Sequence, residues 1–146
     1  PFRNIGPKRL IPPAIPLDAI PNIDIVTVSH NHYDHLDIHS LKKISKKHPE
    51  AIFLVPVGDK KLLKRKKIKN VYDFDWWESI EHKGFVITFT PVQHWSKRSL
   101  FDRNKSLWGS DLADLAHALT LSEVRFKGRV YDNPNLAIVI SWCLYQ

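Results

Sequence analysis

Apolar residues fall in short blocks separated by polar, proline-rich or lysine-rich stretches. Ile23 to Ser29 reads Ile-Asp-Ile-Val-Thr-Val-Ser, and its β-branched side chains predict a buried strand. From Asp37 to Lys47 the period changes. Ile38, Leu41 and Ile44 recur at helical spacing, lysines take the other face, and Asp37 stands where an N-cap is needed. Pro49 ends that helix. The pattern then predicts a strand over 51–57, a basic helix over 59–68 with Leu62 and Leu63 inward, and short strands over 71–75, 79–82 and 85–90, with a turn at Lys83-Gly84. Strand, helix, strand, helix and further strands make an α/β layered domain. Beyond Ser110 the pattern changes, and it predicts a helix over 111–121 with strands over 123–131 and 136–144.

Six of the ten prolines lie in the first 21 residues, where they bias the backbone to extended conformations and remove amide donors. Residues 1–22 therefore read as an extended lead-in arm, laid on the body by apolar residues such as Phe2, Ile5 and Leu10. The expected division is this arm, a domain portion over 23–110, and a tail over 111–146.

Composition narrows the function classes. A chain of 146 residues suits one small domain. No apolar run approaches the roughly 18–20 residues of a membrane-spanning helix. The single cysteine, Cys143, excludes an internal disulfide and a multi-cysteine zinc site, and reads as a small core hydrophobe. The start of the sequence shows no signal-peptide pattern, so the expected location is cytoplasmic or peripheral to the inner face of a membrane. The net charge of +7 favours phosphate-bearing partners.

The chemistry concentrates in His30-Asn31-His32-Tyr33-Asp34-His35, directly after the first strand. In an ending strand residues 30, 32 and 34 share one side, and His35 follows at the turn. Three imidazoles and a carboxylate within six residues can serve two adjacent cations, and this donor set suits zinc, with iron or manganese as alternatives. Surface or capping histidines are the plainer reading, but packing gives no reason for four ligand types in one loop. Structural zinc sites close with four protein ligands and favour cysteine, so an open, catalytic site is expected. His94, just past another strand, is the next candidate ligand. His39, His48, His82 and His117 have no ligand partner at suitable spacing and read as ordinary surface or core residues. Two cations would favour hydrolysis of an ester or phosphoester.

The segment from His30 to Asp37 resembles the metal-binding motif of the metallo-β-lactamase superfamily. Gly6-Pro7-Lys8-Arg9, Asp75-Trp76-Trp77-Glu78, Thr90-Pro91-Val92-Gln93-His94-Trp95-Ser96 and the block from Asp102 to Ser110 narrow the resemblance to its N-acyl-phosphatidylethanolamine-hydrolysing phospholipase D group. The similarity covers about residues 2–110. It implies an αββα sandwich, of which the chain supplies the N-terminal half plus a divergent tail. It further implies two zinc ions, one held by His30, His32 and His94, the other with help from Asp34 and His35, Asp34 being the candidate catalytic residue. A metal-bound hydroxide would attack phosphorus and release phosphatidic acid and an N-acylethanolamine. The family's later bridging aspartate, usually after glycine, and its final histidine are not evident after Ser110. Asp132 is the candidate for the bridge. Another hydrolase of the superfamily, a nuclease or lactonase, and a non-catalytic truncated fragment are the alternatives.

Half of the 22 lysines and arginines lie between Lys42 and Lys69. They read either as a solvated helix face or as a peripheral docking face for anionic lipid. Without interleaved aromatics for base stacking, nucleic acid ranks lower. Trp76 and Trp77 read as core residues, with interfacial anchoring as the alternative. Trp95 and Trp108 flank the His94 segment and either shape the site wall or pack. Arg98, Asp102, Arg103 and Asn104 are candidates to orient a phosphate or to support His94.

Overall fold

Strand β1 (Ile25–Thr27) is the shortest route to the architecture, because all three of its residues are buried although successive side chains point to opposite faces. A strand buried on both faces belongs inside a layered sheet. The computed structural model describes residues 16–83 and 85–109, and the backbone of 124–126, 129–131 and 138–140. In it, β1 is followed by α1 (Ile38–Lys47), β2 (Ile52–Pro56), α2 (Lys60–Arg65), β3 (Val71–Phe74), β4 (Ser79–His82) and β5 (Phe85–Thr88). Three short strands complete the series, β6 (Val124–Phe126), β7 (Arg129–Tyr131) and β8 (Ile138–Ile140).

Four strands form one parallel sheet in the order β3-β2-β1-β8. Ile25 lies opposite Ile52 and Ile138, and Phe53 opposite Val71. One face carries the helices. Val26, Val28, Phe53 and Val55 pack there on Leu41, Ile44 and Leu63 of α1 and α2. The other face carries the antiparallel hairpin β4–β5, where Ile25, Ile52, Leu54 and Phe74 meet Ile87 and Phe89. Asp37 caps α1 as its position predicts, accepting from the amides of His39 and Ser40.

The expected α/β layering is observed, with some boundaries moved. The helix predicted over 59–68 is regular only from Lys60 to Arg65, because the chain turns through Lys67 at φ 65° to bring Ile68 into the core. The stretch predicted as one strand over 123–131 is two, β6 and β7, paired antiparallel. Trp76 packs against the second core cluster, but Trp77 is 69% exposed and is not a core residue. Its backbone sits at φ 70°, where the chain turns from β3 toward the hairpin. The helix predicted over 111–121, Cys143, and most of the lead-in arm lie outside the described residues.

Two devices aim the chain at the carboxyl edge of the sheet, where ligands bind in open α/β sheets. Lys83 at the hairpin turn pairs with the buried carboxylate of Asp24, just before β1. That contact pins the hairpin tip at the amino edge, so β5 runs out toward the carboxyl edge. There, residues 105–109 thread back along the ends of β1 and β2. Leu107 donates to the carbonyl of Val57 and Gly109 to that of Ser29, both at 2.9 Å. The approach is close enough to require glycine. A Cβ on Gly58, at φ 105°, would lie 2.7 Å from Ser106 Oγ, and one on Gly109 would strike the Phe89 ring.

Asp59 is buried at this edge, where its carboxylate accepts from Ser106 Oγ at 2.9 Å. Burial pushes its pKa up to about 6, against the opposing pull of Ser106 and Asn31. The folded protein therefore holds this proton more tightly than the unfolded chain does and keeps the carboxyl protonated up to about pH 6. Its stabilising contribution is complete below the unfolded value of 3.8 and is lost as pH rises through about 6. Asp59→Asn keeps the shape and cannot ionise, so it should gain up to about 3 kcal/mol on the native protein above pH 7 and less at pH 5. Thermal unfolding of both proteins at the two pH values checks this, and an equal difference at both contradicts it.

Candidate metal centre

β1 ends at Thr27, and Ser29 and His30 follow at the carboxyl edge. A tight turn closes the next segment, with the amides of His35 and Leu36 both donating to the carbonyl of His32. Leu36 is fully buried and nails the far end of the segment to the helix-side core. The four candidate side chains between Ser29 and Leu36 are therefore held on a short, doubly anchored loop.

The loop brings His30 and His32 together with His94, which arrives from the end of β5. His30 Nε2 is 2.8 Å from His32 Nδ1 and 2.9 Å from His94 Nε2. One ligand atom from each of the three residues lies within 4.8 Å of the others. An imidazole nitrogen carries either one proton or one lone pair. His30 Nε2 faces two ring nitrogens at once, so hydrogen bonding within the group cannot satisfy both contacts fully. Nε2 of His32 is buried with no hydrogen-bond partner. Three convergent imidazoles suit a cation, which accepts every lone pair simultaneously.

The electrostatics agree. Burial first, then the neighbouring imidazoles His35, His94 and His32, hold the His30 pKa down to about 3. His32 and His35 are also lowered, chiefly by burial. Neutral rings are the form that ligates.

Ser29 was not singled out by the sequence, yet its hydroxyl joins two of the rings, 2.9 Å from His30 Nδ1 and 3.3 Å from His35 Nδ1. Where a ring's Nδ1–H donates to this hydroxyl, its Nε2 keeps the lone pair needed to ligate. His35 lies against His30, ring centroids 4.1 Å apart, and Asp34 approaches His35 Nε2 at 3.5 Å. The structure thus gathers His30, His32 and His94 into one cluster, with His35 and Asp34 at its flank. Asp132 and His117 lie outside the described residues. His39 is exposed. His48 is buried at the other edge of the sheet, beside the Ile23 amide and Asn22.

The segment after His94 locks the loop in place. Arg98 donates from one guanidinium nitrogen to the carbonyls of Asn31 and Leu36, at 3.1 and 2.8 Å, spanning the loop. Its guanidinium stacks 4.2 Å from the Tyr33 ring centre, and the Tyr33 hydroxyl donates to the Arg98 carbonyl at 2.7 Å. Of the other polar residues expected to orient a phosphate or support His94, Asp102 accepts from the amides of Arg98 and Ser99, and Asn104 from that of Ser96. Both brace their own segment and not His94. Arg103 lies over Trp95, whose ring meets His32 edge-on at 4.3 Å. Trp95 therefore walls the cluster, whereas Trp108 packs against Trp76.

A profile described as "Beta-lactamase superfamily domain" matches residues 2–116. The chain belongs to the metallo-β-lactamase superfamily. Its relatives include the mitochondrial N-acyl-phosphatidylethanolamine-hydrolysing phospholipase D of Saccharomyces cerevisiae, 41% identical over 75% of this chain and 24% of that protein. Another is N-acyl-phosphatidylethanolamine-hydrolysing phospholipase D 1 of Caenorhabditis elegans, 39% identical over 70% of this chain and 32% of the relative. An uncharacterised protein of Mycobacterium bovis is 37% identical over 73% of the chain and 28% of its own length. The chain spans about a quarter to a third of these relatives. The superfamily typically binds metal, in agreement with the histidine cluster. Among the described residues no helix is long and apolar enough to cross a membrane.

Arg98→Ala should weaken metal affinity, with zinc as the probe, about 10–100-fold, the usual cost of losing a group that orients ligands. Titration against a competing chelator measures it. Unchanged affinity would show that the loop holds its shape without the guanidinium.

Proposed function

We propose that the chain carries the metal-binding half of a zinc-dependent phosphodiesterase acting on N-acyl-phosphatidylethanolamine. The convergence of His30, His32 and His94 at the carboxyl edge of the sheet carries this reading, and the names of the yeast and nematode relatives supply the substrate class. His30, His32 and His94 are assigned to one zinc, and Asp34 and His35, at the flank, to a second. Asp34 is the assigned catalytic carboxylate and Asp132 the assigned bridging carboxylate. Zinc, when bound, supplies Lewis acidity and activates water near neutral pH.

The chain's own part is positioning. Ser29 orients the rings of His30 and His35, Arg98 fixes the loop, and Trp95 walls one side. In the overall reaction water adds to phosphorus and the P–O bond to the N-acylethanolamine oxygen breaks. That oxygen leaves with a proton, and phosphatidic acid remains. The substrate places the reaction at a lipid surface, and the lysines of segment 42–69 add attraction to anionic headgroups. The assigned location is peripheral to a membrane; the yeast relative is named as mitochondrial.

The purified chain should release phosphatidic acid and N-acylethanolamine from N-acyl-phosphatidylethanolamine micelles in the presence of zinc. A chelator should abolish this, and His94→Ala should lower it by on the order of 100-fold or more, beyond what supporting residues usually contribute. Zinc binding without turnover would contradict the hydrolase reading and leave a non-catalytic metal-binding fragment. Turnover of an oligonucleotide or lactone instead would assign a different hydrolase of the superfamily.

A further inference from the structure

The loop between Ser96 and Asn104, which follows His94 directly, holds two large apolar side chains in solvent at its tip. Leu100 and Phe101 are 81% and 82% exposed, adjacent in sequence, and make no core contact. The loop that carries them is tightly built. Asn104 donates its amide to the Ser96 carbonyl at 2.8 Å and accepts from the Ser96 amide at 3.3 Å, closing the base. Asp102 Oδ1 accepts from the amides of Arg98 and Ser99 at 2.9 and 2.7 Å, shaping the turn that leads to the tip. Arg98 ties the same loop to the metal-loop carbonyls. A braced loop that holds two large apolar side chains in water, where local packing does not need them, has the form of an interaction site.

The surroundings select the partner. Lys97, Arg103 and Lys105 flank the tip, and its acidic neighbour, Asp102, is engaged by the loop's own backbone. Two exposed apolar residues flanked along the chain by three cations match the boundary between acyl chains and anionic headgroups. Position points the same way. The lysine-lined cleft formed by Lys42, Lys46, Lys66, Lys67 and Lys69 lies at the C-terminal end of α1. α1 starts beside the metal loop and runs for 10 residues, so the cleft, lined from Lys42 onward, extends along its later turns to about 15 Å from that start. That cleft adds attraction to anionic headgroups, whereas the 96–104 loop begins two residues after His94 and meets the histidines through Trp95. A bilayer gripped by Leu100 and Phe101 would lie against them.

We infer that the 96–104 loop is a membrane wedge. Leu100 and Phe101 insert into a phospholipid surface while Lys97, Arg103 and Lys105 bind its phosphates, presenting the metal centre to the bilayer. This deepens the lipid-hydrolase reading and rests on it for the purpose of docking, but its test does not require turnover. Vesicles of phosphatidylcholine and phosphatidylglycerol, lacking any N-acyl-phosphatidylethanolamine, are sedimented with the chain. The wild type should bind, and Leu100→Ser with Phe101→Ser should bind at least roughly tenfold more weakly. Lys66→Gln with Lys67→Gln should change binding less than the wedge double variant does. Circular dichroism melts of the wedge variant should match the wild type, because both side chains are exposed. Vesicle binding that is equal in wild type and wedge variant, or absent in the wild type, overturns the wedge. Loss of self-association in place of vesicle binding also overturns it, by identifying a second copy of the chain as the partner. Hydrolysis of a short-chain, monomeric phosphodiester, followed separately, tests the catalytic reading without a membrane.

Discussion

Three imidazole nitrogens that meet at one place cannot all be satisfied by one another. His30 Nε2 has neighbours at 2.8 and 2.9 Å, and either its proton or its lone pair serves one of them. Protonating the rings to gain donors adds like charges in a half-buried site, and burial together with the neighbouring imidazoles drives the His30 pKa down to about 3. The rings therefore remain neutral and close. That arrangement costs free energy unless a cation takes up the lone pairs, and the surrounding structure keeps the rings from relaxing apart.

That restraint comes from the layers. β1 is buried on both faces, so the residue positions following it are fixed by helix packing on one side and hairpin packing on the other. Leu36 closes the loop into the helix-side core, while Ser29 is held by Gly109 at its carbonyl and contacts two histidines with its hydroxyl. The hairpin is pinned at its turn by Lys83 and Asp24, which directs His94 to the same edge. Arg98 then bridges from the His94 segment back across the loop. Local sequence alone would leave these groups far apart, since His94 is 64 residues from His30.

The parts legible in the sequence were those governed by local chemistry. The β-branched run before His30, the 3.6-residue period from Ile38 to Ile44, the Asp37 cap and the closely spaced histidines His30 and His32 are each read within about ten residues. The parts that escaped depend on distant partners. Trp77 looks like a core residue from its neighbours, but the chain reverses at its own left-handed backbone and turns it outward. Asp102 and Asn104 have the side chains of a phosphate site, yet they bond to the backbone of the turn they occupy. Ser29 is an ordinary strand-end residue until the folded loop places two rings around it. The lengths of the helix after Asp59 and of the strands after Ser110 follow from turns and pairings that periodicity does not encode.

The central claim is that His30, His32 and His94 hold one cation together. X-ray absorption at the zinc edge, on the chain loaded with one equivalent of zinc, tests it most directly. The account predicts imidazole nitrogens at about 2.0–2.1 Å, three per zinc, with one fewer in His94→Ala. A first shell of oxygens without imidazole scattering, or one unchanged by His94→Ala, would contradict it.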